Sequence, residues 1–210
     1  MKTENSVIER LLKIIPGGVY GLICVGIIII CDFLAILFTP EYKIFENMVS
    51  ELGRGPGGIF FNLGLILSGI VSIPFYISIA KVFQSEEVNQ DLRKIALISS
   101  IISVITYVFI GIFPSYPEFV IIYYAHGVLA FVSIATGATY IATYSIMCIK
   151  YKKISKFHGY YGFFVVGLEI LFLVSWIPIT EWIMTIAIVF WIFLMSSYLV
   201  AHNNEFIDKI

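Results

Sequence analysis

Residues 17–38 read GGVYGLICVGIIIICDFLAILF, an apolar run with a single charged side chain, Asp32. About 20 consecutive apolar residues are enough for one helix to cross the hydrocarbon core of a bilayer. The run is longer than the apolar region of a signal peptide, and it contains no small-x-small cleavage site. We therefore expect it to remain in the protein as a first transmembrane helix.

Five further apolar runs follow the first one. Hydrophobic residues make up 60% of the chain and charged residues only 13%, whereas soluble domains carry roughly 25% charged residues. The sequence therefore predicts a single-domain, all-α polytopic membrane protein, a bundle of six transmembrane helices. The predicted spans are 17–38, 58–83, 94–113, 119–149, 157–177 and 182–201.

Basic residues are distributed unevenly between the two ends of these spans. Lys43 and Arg54 lie on one side, and the other eleven of the 13 basic residues lie on the side of the termini. The positive-inside rule then places both termini in the cytoplasm. Residues 39–57 become an extracytoplasmic loop, and residues 1–16 carry the apolar spacing of a helix lying on the cytoplasmic interface.

Polar side chains interrupt four of the predicted spans. Asp32, Asn62, His126 and Glu169 lie about 9, 6, 10 and 12 Å from the outer ends of their helices, at 1.5 Å per residue. Because these depths are similar, the side chains are predicted to share one outer-leaflet pocket. Ionisable groups inside a span are costly and mark functional sites by default. With neighbouring residues near the pocket mouth, the candidate binding residues are Asp32, Glu51, Arg54, Asn62, Tyr123, His126 and Glu169.

The competing interpretation is that these polar groups only join helices by hydrogen bonds. An Asp/Glu/His set is also compatible with acid–base chemistry, proton or cation handling, or metal binding. The sequence has no zinc-protease, serine-hydrolase or phosphate-loop motif, and we predict no cofactor and no metal. A net charge of −1 argues against a nucleic-acid partner.

One stretch of sequence carries a family resemblance. It reads SELG at 50–53, Pro56 and FNLGLILSG at 61–69, followed by GIFP at 111–114 and by His126. It resembles the prokaryotic six-span family called domain-of-unknown-function family 998, and more distantly the DRAM and FRAG-type membrane proteins. The family implies no agreed activity, but its eukaryotic relatives imply a connection with lipid. The positions it points to are Ser50, Glu51, Gly53, Asn62, Gly64 and His126.

The sequence thus predicts a cell-membrane protein whose outer pocket binds, or also modifies, a lipid or another amphiphile. Membrane lipids are the expected partners, and self-association stays open. One alternative is a proton- or ion-coupled transporter that uses Asp32 and Glu169. Another is a scaffold without a small-molecule site. We also expect the outer loop to fold back as a lid over the ends of the first, second and fourth spans, with Arg54 available to an anionic group.

Overall fold

The computed structural model describes residues 7–151 and 153–203. Within these residues it has seven α-helices, of which the last six are long and apolar enough to cross a membrane. The six-helix class predicted from the sequence is therefore confirmed. The helices are α1 (Val7–Ile14), α2 (Gly17–Leu37), α3 (Gly58–Val82), α4 (Gln90–Ile112), α5 (Val120–Tyr151), α6 (Lys156–Ser175) and α7 (Pro178–Ala201). A 3₁₀ helix, Val49–Arg54, is called the loop helix below. Of the predicted interfacial helix, only α1 falls within the described residues.

Two membrane helices begin earlier than the hydropathy of the sequence suggests. The helix α7 begins at Pro178 rather than near 182. Proline suits the first position of a helix, because the N–H group that it lacks would have no partner there. The third begins at Gln90 rather than near 94. There the side chain of Asn89 accepts hydrogen bonds from the backbone N–H groups of Asp91 (2.9 Å) and Leu92 (3.2 Å).

The helices α2–α7 form a closed ring. Each packs against its neighbours in the chain, and α7 packs against α2. The outer surface carries exposed Ile, Leu, Val and Phe side chains, as expected of a surface in contact with lipid. We call the end of the ring where α2 begins and α7 ends the terminal face. The opposite end, which carries the loop helix and the α4–α5 and α6–α7 links, is the loop face.

Small residues allow the first and last helices of the ring to meet. A Cβ added at Gly18 would lie 2.6 Å from the carbonyl oxygen of Ser196 and 2.9 Å from the Leu199 side chain. Gly21 faces the Ser196 hydroxyl and the Phe75 ring in the same way. Such close backbone approach is how helices gain packing contacts in lipid, where the hydrophobic effect does not drive them together.

Aromatic side chains fill the interior of the ring toward the terminal face. This aromatic plug consists of Phe75, Tyr76, Tyr140, Tyr144 and Trp191, all buried. The hydroxyls of Tyr76 and Tyr140 are hydrogen-bonded at 2.9 Å, and the rings of Tyr140 and Trp191 have centroids 5.9 Å apart. The plug connects α3, α5 and α7 across the ring, so the interior is solid on that side.

Replacing Gly18 by Ala should destabilise the protein by about 1–3 kcal/mol, because the added methyl group overpacks the contact between α2 and α7. Gly26→Ala is the matched control, since a Cβ at Gly26 on the same helix meets nothing within 4 Å. Thermal unfolding in detergent measures the difference between the two variants. Equal stabilities would contradict the close packing of α2 on α7.

The predicted orientation can be tested with cysteines at exposed sites on opposite faces. The Glu46 side chain is 65% exposed on the loop face, and that of Asp91 is 85% exposed on the terminal face. We expect Glu46→Cys, but not Asp91→Cys, to react with an impermeant thiol reagent applied to intact cells. Permeabilised cells should label both, and the wild type reports the background of the native cysteines. The reverse pattern would place the loop face in the cytoplasm.

Candidate functional site

The half of the ring interior that faces the loop helix is hollow. It contains a cavity of about 180 Å³ that is lined by residues of every ring helix and of the loop helix. Along α7 the lining runs from Glu181 to Ile192, a separation of about 16 Å at 1.5 Å per residue. Tyr76 and Tyr140 of the aromatic plug line its deep end. The cavity is therefore a blind chamber whose base is the plug and whose cover is the loop helix.

Asp32, His126 and Glu169 all line this chamber. The sequence placed them at one depth, and the structure brings them to one cavity from α2, α5 and α6. They do not hydrogen-bond to one another within residues 7–151 and 153–203. The direct contacts that tie polar groups between helices are instead made by other residues, such as Ser103, whose hydroxyl donates to the Ser133 carbonyl at 2.9 Å.

Glu169 is the most deeply buried ionisable group of the site. Its side chain is 1% exposed, and its Oε2 atom has no hydrogen-bond partner among the residues that the structure describes. Its Oε1 atom occupies space that Gly137 leaves open, since a Cβ at Gly137 would lie 2.8 Å from it. Buried polar atoms in proteins are almost always satisfied, so this carboxyl group is the feature of the cavity that most needs an explanation.

One ring nitrogen of His126 forms a hydrogen bond within the protein. Its Nδ1 lies 2.8 Å from the carbonyl oxygen of Phe113, just beyond the end of α4. Because a carbonyl only accepts, Nδ1 must carry the hydrogen, and in the neutral ring Nε2 is then an acceptor. His126 therefore joins α5 to the α4–α5 link and also presents a ring to the cavity.

Glu181 is a candidate site residue that the sequence analysis does not include. The predicted spans put it in the link before the last one, whereas α7 begins at Pro178 and places Glu181 in its first turn. Its carboxylate accepts a 2.7 Å hydrogen bond from the backbone N–H of Val49 and also interacts with the N–H of Ser50. A proline followed three residues later by a glutamate is a typical helix start, and this signal was available in the sequence.

The loop helix is a folded cover rather than a solvated linker. It packs on α2, α3 and α7, whereas the sequence suggested the first, second and fourth spans. Tyr42 anchors the preceding loop: its hydroxyl donates to the carbonyls of Met48 (3.0 Å) and Asn47 (3.2 Å) and accepts from Trp182 Nε1 (2.8 Å). Burial raises the pKa of Tyr42 above its ordinary range, so the hydroxyl stays a donor at physiological pH.

Glu51 and Arg54 lie in the loop helix but bond to each other. Arg54 Nη2 lies 2.5 Å from Glu51 Oε1, and Arg54 Nη1 donates to the Ser115 carbonyl at 3.4 Å. Asn47 donates to the other Glu51 oxygen at 2.8 Å. The side chains that the loop helix contributes to the cavity wall are Val49 and Ser50. Glu51 and Arg54 thus belong to the cover of the cavity and not to its lining.

Asn62 and Tyr123 lie outside the cavity. The Asn62 amide donates to the Gly53 carbonyl at 2.9 Å and thereby fixes the loop helix to α3. Tyr123 lies in the first turn of α5, and 46% of its surface is exposed. The sequence predicts Asn62 near the depth of the other polar residues and Tyr123 near the pocket mouth, but depth alone does not say which way a side chain points.

The cavity wall is mainly apolar, with carboxyl, hydroxyl and tyrosine side chains set into it. It contains the carboxyl groups of Asp32, Glu169 and Glu181, while within residues 7–151 and 153–203 no Lys or Arg side chain lines it. Sequence analysis did not identify the tyrosines of the wall, Tyr76, Tyr107 and Tyr140. The described residues contain no group of three or more His, Cys, Asp or Glu side chains arranged to hold a metal ion.

The fold and cavity define a class: polytopic helical membrane proteins with a chamber inside the bundle whose mainly apolar wall carries several carboxyl groups. Within that class, the family described as "Protein of unknown function (DUF998)" matches residues 22–198. The chain belongs to this family, which confirms the resemblance seen in the sequence. Neither the curated proteins nor the solved structures contain a significant match to the chain. The more distant resemblance to DRAM and FRAG-type proteins stays a prediction.

Replacing Glu181 by Ala should loosen the loop helix, because the Val49 N–H loses its acceptor, at a cost of about 1–3 kcal/mol. Hydrogen exchange of residues 49–54 should then become faster while exchange in α3 stays slow. Glu181→Gln keeps an acceptor oxygen and is the matched control. Unchanged exchange in Glu181→Ala would show that this bond does not hold the cover in place.

Proposed function

We propose that this protein binds an amphiphile, with the head group inside the chamber under the loop helix. The observation that carries the proposal is Glu169, a fully buried carboxyl group with an unpartnered oxygen, in the wall of a cavity that all ring helices line. A group that served only to join helices would have its partner on a neighbouring helix. A bound molecule in the chamber supplies the missing partner.

The size of the chamber limits what enters it. A volume of about 180 Å³ is comparable with that of an engineered protein cavity of roughly 150 Å³ that binds benzene. That is room for the head group of an amphiphile.

A proton- or ion-coupled transporter is the second candidate, and the position of Glu169 inside the membrane favours it. A transporter needs a route to both faces. The aromatic plug separates the chamber from the terminal face, with Tyr76, Tyr140, Tyr144 and Trp191 all at most 4% exposed. Transport would require these side chains to move apart, which simple binding does not. Binding is therefore the function that the described geometry supports best.

The test fills the chamber without altering its charges. Ala130 lines the cavity, whereas Val128 on the same helix is 62% exposed on the outer surface. We expect Ala130→Phe, but not Val128→Phe, to lose the amphiphile that co-purifies with the wild type, as measured by mass spectrometry of extracted lipids. Loss of bound ligand should also lower the thermal stability, by about 2.7 kcal/mol if the ligand is present at 100 times its Kd.

Two results would contradict the proposal. The first is an identical lipid profile in wild type, Ala130→Phe and Val128→Phe, which would favour the scaffold interpretation. The second is accumulation of a labelled solute inside proteoliposomes that depends on an ion gradient and disappears in Glu169→Gln. That result would favour the transporter.

A further inference from the structure

We infer that the head group taken by the chamber is an organic cation, a primary or quaternary ammonium group. This inference rests on the proposed function and names its ligand class. The first argument is charge. Asp32, Glu169 and Glu181 line the cavity together with His126, and in the described part of the chain no Lys or Arg side chain lines it. The nearby cation in the cover, Arg54, is already paired with Glu51. An anionic head group would meet three carboxyl groups and no Lys or Arg side chain to pair with.

The second argument is which carboxyl groups remain available. Glu181 accepts the backbone N–H of Val49 and so serves the cover. Glu169 keeps a free oxygen at 1% exposure. Carboxylates form their strongest hydrogen bonds with charged N–H donors, and a buried carboxylate without a partner is costly. Asp32, from α2, adds another carboxyl group to the same wall.

The third argument is the aromatic wall. Tyr76, Tyr107 and Tyr140 line the same cavity as Asp32 and Glu169. Aromatic faces attract cations, and tyrosine cages are a common way to hold quaternary ammonium groups. The hydroxyls of Tyr76 and Tyr140 bond to each other at 2.9 Å, so one of the two hydroxyl hydrogens is already engaged within the protein.

The fourth argument distinguishes an organic cation from a metal ion. Metal ions bind where several donors converge on one point. Among the described residues no three His, Cys, Asp or Glu side chains converge in this way, and the carboxyl groups of the cavity come from α2, α6 and α7. The cavity has a volume of about 180 Å³, and its carboxyl groups are spread over the wall. This arrangement suits an ammonium group with its substituents better than a bare metal ion.

The experiment measures binding to the purified full chain in a neutral maltoside detergent. The probes are two cations, dodecylammonium and dodecyltrimethylammonium, together with dodecyl phosphate and dodecanol; all four share a chain and differ in head group. Ligand-induced shifts of the unfolding midpoint give the apparent affinities. We expect at least one cationic probe to bind at least about tenfold more tightly than dodecyl phosphate and dodecanol. Of the two cations, only dodecylammonium can donate N–H hydrogen bonds to Glu169. Choline chloride and sodium chloride at equal concentration test the free ammonium group and the inorganic cation.

The variants isolate the role of the buried carboxyl group. Glu169→Gln removes the ionisable group but keeps the shape. We expect it to weaken binding of the tighter cationic probe by about tenfold or more. Glu46→Gln changes a 65% exposed carboxylate on the loop face and is the matched control, with unchanged affinity expected. If Glu169→Gln does not fold, Asp32→Asn tests the same prediction from the other side of the cavity.

The possible outcomes separate the two proposals. One outcome is that dodecyl phosphate or dodecanol binds tightly, that Ala130→Phe abolishes this binding and that Glu169→Gln does not change it. This would overturn the cation inference and leave amphiphile binding intact. If sodium chloride shifts the unfolding midpoint as much as choline chloride does, the site does not require an organic cation and that part of the inference is overturned. Tight binding of choline without binding of the dodecyl probes would support the cation inference and overturn the amphiphile, since the ligand would then be a small ammonium compound. Absence of binding by every probe would overturn both proposals.

Discussion

Contact between the first and last membrane helices is the constraint on which the rest of the structure depends. Gly18 and Gly21 bring α2 against Ser196 of α7 and so close the ring. Without that contact the same helices would form an open row, and the carboxyl groups of the cavity wall would face hydrocarbon. A carboxyl group exposed to lipid is expensive. Closure of the ring therefore makes it possible for Asp32 and Glu169 to exist in this membrane protein at all.

The two ends of the ring interior follow different packing rules. Toward the terminal face, large aromatic side chains interlock and leave little free volume. Toward the loop face, small and hydroxylated residues such as Ser68, Ser103 and Gly137 line the wall. Hydroxyl groups that bond within the protein, as in the pair Ser103 and Ser133, satisfy their own polarity without filling the space. The chamber is thus the result of residue size as much as of polarity.

The sequence predicted the six-helix class because long apolar runs are unambiguous in a bilayer. It also indicated Asp32, His126 and Glu169, because ionisable groups are rare in such runs. It could not separate these from Asn62 and Tyr123, since depth follows from residue number but the direction of a side chain does not. In lipid, both the inner and the outer surfaces of a helix are apolar, so periodicity gives little help. The sequence analysis did not include Glu181, because hydropathy predicts that the last helix begins near residue 182. In the structure this helix begins at Pro178.

The bond between Val49 and Glu181 has a consequence for the biogenesis of the protein. The two residues are 132 positions apart in the chain. At a synthesis rate of 5–20 residues per second, Glu181 emerges roughly 7–26 s after Val49. Until then the loop helix lacks its acceptor, and the half-made bundle has no cover. The final conformation of this early loop is therefore completed only when the last helix has been translated and inserted.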